Sequence, residues 1–177
     1  TRKNLDLTKK ESITKLKKII KKNDTLFFAA AKAPVRSNEM FLQNILMCKT
    51  VIEAIKEKSV NHLIYLSSDA VYSDSKKPLS ENSETKPNSL HGLMHLTREI
   101  MLNDSNNKFF CIVRPTLIYG DKDPHNGYGP NKFFRLAQKN EDITLFGKGE
   151  ELRDHVWIED VAEIICRLII NKSIGII

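Results

Sequence analysis

Glycine is scarce and late in this sequence: of seven in 177 residues, none lies before Gly92. The first half therefore holds no glycine-rich turn of the kind that cradles a phosphate at a helix N-terminus. Aromatic residues make up 7%, and none is interleaved with the basic residues at the start, which removes the stacking platform of a nucleic-acid binder. No apolar run approaches the roughly 20 residues that cross a bilayer. The lysine-rich start lacks the apolar core of a signal peptide, so a soluble, cytoplasmic protein with no membrane or nucleic-acid partner is expected. Cysteines number three, Cys48, Cys111 and Cys166, far apart in apolar settings without a CxxC pair. Buried free thiols are expected, with no metal or disulfide.

What is abundant is positive charge, +6 in all, and its location decides its meaning. Residues 1–22 hold nine of the 28 Lys and Arg but only two of the 22 acids, leaving 19 basic against 20 acidic residues elsewhere. The excess belongs to one amphipathic segment, with Ile13, Leu16, Ile19 and Ile20 expected inward and the lysines on the solvated face.

Length and a 41% hydrophobic content suit one domain with a real core. Helical and strand patterns alternate: helix Lys9 to Lys22, strand Thr25 to Ala31, helix Asn38 to Lys58 with Leu42, Ile45, Leu46, Ile52 and Ile55 inward, strand His62 to Ser67, helix Leu90 to Leu102, and strand Phe109 to Arg114. Apolar strands separated by helices predict a doubly wound α/β fold with a parallel sheet covered on both faces, Rossmann-like. After Arg114 a long loop, PTLIYGDKDPHNGYGPN, precedes a helix Lys132 to Gln138, a strand Ile143 to Phe146, a turn GKGEE, a strand HVWI and a helix Asp160 to Ile170. Asp160 is expected to cap that last helix, with Val161, Ile164, Ile165 and Leu168 inward.

The stretch His62 to Leu102 carries the chemistry. An apolar run delivers Ser67, Ser68 and Asp69 to the C-terminal end of a strand, where ligands sit in open α/β sheets. In the following helix, Leu93, Leu96, Thr97 and Ile100 recur at helical spacing, which places His91 and His95 one turn apart on one face. Hydroxyl, carboxylate and two imidazoles can thus converge on one pocket.

Read in order, LDL at Leu5 to Leu7, Ala29 to Ala31, Asn44, SSDAVY, HGLMH followed by Glu99, RPTLIYG and LFGKGEELRDHVWIEDVAE resemble the extended short-chain dehydrogenase/reductases, the NAD-dependent epimerases and dehydratases of nucleotide sugars. The resemblance implies cofactor contacts from Asp6 and Leu7 to the adenine, from Ala29, Ala30 and Ala31 through the backbone, and from Ser67, His95 and Pro115, with Asn44 supporting the active-site backbone. It implies that Ser68 orients the substrate hydroxyl and that Asn131 and Arg153 contact the nucleotide sugar, Arg153 as a planar fork for phosphate oxygens. Taken singly, Asp6 also reads as a helix-entry residue, Asn44 as a surface amide and Arg153 as half of an ion pair with Asp154.

The family's catalytic Tyr and Lys are here His91 and His95. A phenol with a pKa near 10 needs a cation's help, whereas an imidazole near 6.5 is already poised for proton transfer. Three readings stay open: a working acid/base His91 supported by His95, an inactive site that still binds ligand, and a metal site, the last lacking the interposed acid of HExxH and a third ligand. Asp69 stands where family dehydratases have an acid, but Ala70 replaces the glutamate that follows it, which favours epimerisation or carbonyl reduction over dehydration.

The expected function is that of an NAD-dependent nucleotide-sugar epimerase, with NADP as an open alternative. The alternatives are a catalytically silent NAD or nucleotide-sugar binding module and a nucleotide-sugar dehydratase or reductase. Residues 1–119 are expected to form the C-terminal part of a dinucleotide-binding domain and 120–177 the start of a substrate region interleaved with its last elements, the fold being incomplete at both ends. The resemblance also implies a homodimer through helices 38–58 and 90–102.

Overall fold

The computed structural model describes residues 5–58, 60–75, 77–105, 107–122, 129–150 and 152–177. The chain divides into two compact units, Thr1–Arg114 with Leu168–Ile177, and Pro115–Arg167. The first unit is built on a four-stranded parallel sheet in the order β1-β2-β3-β6, from Thr25–Phe28, His62–Leu66, Phe110–Val113 and Gly175–Ile176. Strand alternation divides its side chains between two apolar layers. Leu63, Tyr65, Phe110 and Ile112 join Leu16, Ile20, Val51 and Ile55 on one face. Ile64, Cys111 and Val113 join Leu168 on the other. The expected doubly wound layout is therefore present.

The first face is covered by α1 (Glu11–Ile19), α2 (Asn38–Glu57) and α3 (Leu90–Asn103), and the second receives the end of α5 (Ile158–Asn171). Ser37 and Ser89 cap α2 and α3, accepting from the N–H groups of Met40 and Gly92 at 3.2 and 3.1 Å. The helical faces match the expected ones in part, with Leu16, Ile20, Ile52, Ile55, Val161, Ile165 and Leu168 buried as expected. Ile19, Leu42, Leu46, Leu93, Ile100 and Ile164 are exposed, while Ser12, Asn44, Thr50, His95, Arg98 and Glu99 are buried. Periodicity counts apolar residues, but these helices turn a partly polar face inward because it finds hydrogen-bond partners there.

The second unit contains α4 (Pro130–Gln138), the first part of α5, and a two-stranded parallel sheet of β4 (Leu117–Tyr119) and β5 (His155–Trp157). β4 lies within the stretch expected to be a loop, and residues 123–128 of that stretch and Glu151 of the GKGEE turn lie outside the described residues. The strand expected over Ile143 to Phe146 is absent, since no described strand pairs with it and Ile143, Leu145 and Phe146 are exposed. Helix α5 starts at Ile158, directly after β5, so Asp160 sits in its first turn and not at its cap. Cys48 and Cys111 are buried free thiols as expected, but Cys166, on α5, is exposed. No described helix is long and apolar enough to cross a membrane.

One buried ion pair ties the first unit together at the sheet's C-terminal end. The Glu99 carboxylate accepts from Arg114 Nε at 3.1 Å and Nη2 at 2.6 Å, and from the Ser67 hydroxyl. Arg114 Nη1 donates to the Tyr72 hydroxyl at 2.7 Å. Helix α3, the ends of β2 and β3 and the loop after β2 all meet in this network. Removing one partner of such a pair strands the other charge, so Glu99→Ala is expected to lower unfolding free energy by about 3–5 kcal/mol in chemical denaturation.

Candidate active site

The site begins with a close approach between two backbones. Ser68 caps a single 3-10 turn, Asp69–Val71, accepting from Ala70 N–H at 3.1 Å while its hydroxyl donates to Asp69 Oδ1 at 3.0 Å. Gly92, in the first turn of α3, lies against that turn: a Cβ there would stand 1.9 Å from the Ala70 carbonyl oxygen. Only glycine permits this contact, and it brings His91 under the influence of Asp69. Burial lowers the His91 pKa from its usual 6.5, and the Asp69 charge opposes that fall.

His91 and His95 face each other edge-on, with ring centroids 4.8 Å apart and planes at 89°. Their outer nitrogens are held differently. His91 Nδ1 accepts from the Val35 N–H at 3.5 Å, a long and weak bond. His95 Nδ1 meets the Tyr65 hydroxyl at 2.8 Å. Burial pushes the His95 pKa down to about 3, with further lowering by His91 and Arg98. Both imidazoles are thus neutral near pH 7, and His95 stays so far below it. His95 Nε2 has no hydrogen bond to a described residue and is not among the sealed, partnerless atoms, so it is open to a ligand.

Behind the pair lies Arg98, fully buried. Its Nε and Nη2 donate to the Asn44 carbonyl at 2.9 and 2.7 Å, Nη2 to Asn44 Oδ1 at 2.9 Å, and Nη1 to the Ala30 carbonyl at 3.0 Å, with the cation 4.9 Å from the centre of the Phe28 ring. Asn44 is equally buried and not a surface amide. Its amide grips the Lys32 backbone in both directions, accepting from Lys32 N–H and donating to Lys32 O, each at 3.0 Å. The exposed methyl-sized residues Ala29, Ala30 and Ala31, one step past β1, are thereby fixed from below with their upper side open. Asp6 Oδ1 accepts from the Thr8 N–H at 3.0 Å and its hydroxyl at 2.7 Å, the geometry of a helix-entry residue, while Leu7 packs on the core.

The first unit therefore brings Ser68, Asp69, His91 and His95 together beside Ala29–Ala31. It turns the Ser67 hydroxyl inward to Glu99. Pro115, Asn131 and Arg153 belong to the second unit. There Asn131 Oδ1 accepts from the Gly120 N–H at 3.2 Å and lines a 390 Å³ cavity with Tyr119, Phe134, Arg135 and Trp157. Arg153 is exposed, and its carbonyl accepts from His155 Nδ1–H at 3.0 Å. Sequence reasoning missed Arg98 and Tyr65. Arg98 carried a signal, because positions 91, 95 and 98 share one helical face.

A histidine held neutral when folded binds fewer protons than its unfolded counterpart between the two pKa values, so the stability it contributes is lost as pH falls. Between about pH 6.5 and pH 3 the protein should lose up to about 1.4 kcal/mol per pH unit from His95. His95→Gln, which keeps an acceptor for Tyr65, should flatten that slope in denaturation curves taken across the range.

The NAD dependent epimerase/dehydratase family model matches residues 1–175. The uncharacterized UDP-glucose epimerase YtcB of Bacillus subtilis (strain 168) is 26% identical over 147 residues, covering 77% of this chain and 46% of that protein. GDP-L-fucose synthase of Escherichia coli (strain K12) is 26% identical over 170 residues, covering 78% and 50%. In fold, the chain is similar to UDP-N-acetylglucosamine 4-epimerase from Methanobrevibacter ruminantium M1, with TM-score 0.84 and 24% identity over 97% of this chain and 58% of that one. The chain spans about half the length of the curated relatives it matches. With a parallel sheet and a family model matched along nearly its whole length, the chain belongs to the NAD dependent epimerase/dehydratase family.

Proposed function

We propose that this chain contributes the cofactor-facing half and the beginning of the substrate region of an NAD-dependent nucleotide-sugar epimerase in which His91 exchanges the sugar hydroxyl proton. The observation that carries the reading is the unequal hold on the two imidazoles. His91 is tied only through a 3.5 Å contact, so its ring proton can move between nitrogens at little cost, and the Asp69 charge favours the imidazolium formed on proton uptake. His95, bound to Tyr65 at 2.8 Å, serves as a fixed neutral donor.

The residues present suit the cofactor. The exposed Ala29–Ala31 backbone at a strand end leaves room for a dinucleotide, and His95 Nε2 is available to a ribose hydroxyl. Asp6, Leu7, Ser67 and Pro115 are proposed as further contacts on the family pattern, with Asn44 holding the Lys32 backbone beneath them. When bound, NAD supplies the acceptor and donor of hydride. Ser68, already an acceptor and a donor within its turn, orients the sugar hydroxyl whose proton His91 removes and later returns. Asn131 and Arg153 are proposed to hold the nucleotide portion.

The test uses the full-length protein with NAD and a panel of UDP-, GDP- and dTDP-sugars in deuterated water, following sugar protons by NMR. Conversion is expected, and His91→Phe should reduce it by about 10²–10⁴-fold, the contribution of a positioned acid/base, with binding retained. Saturable binding without conversion in either protein would replace this reading with that of a silent binding module.

We propose also that α2 and α3 pair with a second copy of the chain. Leu42 (60%), Leu46 (48%), Leu93 (43%) and Ile100 (63%) leave apolar surface exposed on these helices. Leu42→Asp with Leu46→Asp should shift the protein from dimer to monomer in analytical ultracentrifugation without loss of helical signal. The buried thiols Cys48 and Cys111 suit a reducing compartment and support a cytoplasmic setting.

A further inference from the structure

The segment that carries Ser68 and Asp69 is one 3-10 turn, and a single helical turn is not stable by itself. Its internal bonds, from Val71 N–H to the Ser68 carbonyl at 3.3 Å and from Tyr72 N–H to the Asp69 carbonyl at 2.9 Å, give it a shape but no place in the fold. Side chains at its two ends tie it down. Ser67, immediately before it, donates its hydroxyl to Glu99, and Tyr72, immediately after it, accepts on its hydroxyl from Arg114 Nη1 at 2.7 Å. Glu99 and Arg114 are in turn joined by two N–H groups of the guanidinium, at 3.1 and 2.6 Å. One ion pair thus reaches both ends of one turn.

Stability alone does not explain an ion pair in this setting. Its side chains are 6% and 4% exposed, and apolar side chains of similar volume are often as stabilising in such a place or more so. What they lack is direction. The guanidinium is a rigid planar fork, so Nε and Nη2 on the carboxylate dictate where Nη1 meets the Tyr72 phenol. The cation also stands 5.1 Å from the centre of the Tyr72 ring, which constrains the ring together with its hydroxyl. Both members are anchored in regular structure: Glu99 lies on α3, and the Arg114 N–H donates to the Ile177 carbonyl at 2.7 Å. Helix α3 therefore meets the turn twice, through Gly92 against the Ala70 carbonyl and, about two helical turns further on, through Glu99 on Ser67.

We infer that Glu99 and Arg114 are positioning residues: by gripping Ser67 and Tyr72, their ion pair sets the Ser68–Val71 segment against the first turn of α3, so that the Ser68 hydroxyl and the Asp69 carboxylate stand beside His91. This rests on the reading of Ser68 and His91 as partners in proton exchange, but the placement is measurable without cofactor or substrate. The charged and titratable groups that act on His91 are Asp69 in the turn and His95 on its own helix.

Amide hydrogen exchange by NMR on the ligand-free full-length protein reads the turn directly, and titration of the His91 ring gives a second reading. Ser67→Ala combined with Tyr72→Phe removes both arms and leaves the ion pair in place. In that variant the amides of Ala70 and Val71 should exchange about tenfold faster, while those of Leu63 and Cys111 in the sheet keep their native rates. The His91 midpoint should fall toward that of Asp69→Asn, since the carboxylate that opposes its lowering has moved away. Arg114→Lys, which keeps the charge and loses the fork, should resemble the double variant. Turn amides that keep native rates in the double variant or in Arg114→Lys overturn the inference. So does a rise shared by the sheet amides, for the pair would then serve general stability alone, and so does a His91 midpoint that stays native where Asp69→Asn lowers it. Should Asp69→Asn leave the midpoint in place, the exchange rates decide, and should the double variant or Arg114→Lys fail to fold, Tyr72→Phe alone decides by the same rates. A protein silent in the epimerase assay can still pass this test, and an active one can fail it.

Discussion

A guanidinium sealed from water must place its N–H groups on the protein, and where Arg98 places them determines much of the first unit. Two of its partners are main-chain carbonyls, of Ala30 just past β1 and of Asn44 in α2, so a side chain on α3 fixes both the strand end and the neighbouring helix. Asn44 extends the same network to Lys32. Each member satisfies another, and a fully satisfied polar network in a low-dielectric interior selects one arrangement over its alternatives. The cation–π contact with Phe28 adds a face that water would otherwise occupy.

Helix α3 is the hinge of this logic because it presents two polar faces at once. Through Arg98 and His95 it reaches Tyr65, Asn44 and Ala30, and through Glu99 it reaches Arg114, Ser67 and Tyr72. Its height is set by Gly92 against the Ala70 carbonyl, which also brings the Ser68–Asp69 turn beside His91. The histidines therefore sit on an element held on three sides. The two imidazoles nevertheless meet different surroundings, His95 bound to the Tyr65 hydroxyl at 2.8 Å and His91 touched by the Val35 N–H at 3.5 Å.

Much of this was legible beforehand, and where it was not the reason is physical. The alternation of apolar strands and helices announced a parallel sheet, and α2 and α3 begin at Asn38 and Leu90 as expected because Ser37 and Ser89 cap their first turns, accepting from the Met40 and Gly92 N–H groups. Ile19, Leu42, Leu46 and Ile164 were expected inward and are exposed, because hydrophobic periodicity does not distinguish a face turned to the core from an apolar face left outside. β4 was hidden among Gly, Pro and Asp residues, and a three-residue strand exists only by virtue of its partner β5. Ile143 to Phe146 had the composition of a strand, but no described strand pairs with it.

The sequence by itself determined the fold class, the placement of Ser68 and Asp69 at a strand end, and the spacing that stacks His91 over His95, since local patterns of period 2 and 3.6 are properties of the chain alone. Only the tertiary structure decided which nitrogen of each imidazole is engaged, that Ser67 serves Glu99, and that Arg98 is a buried cation set on the Ala30 and Asn44 carbonyls. Those outcomes depend on partners 30 to 68 residues away along the chain. No local pattern encodes them, because the energy of a buried polar group is set by what surrounds it and not by its place in the sequence.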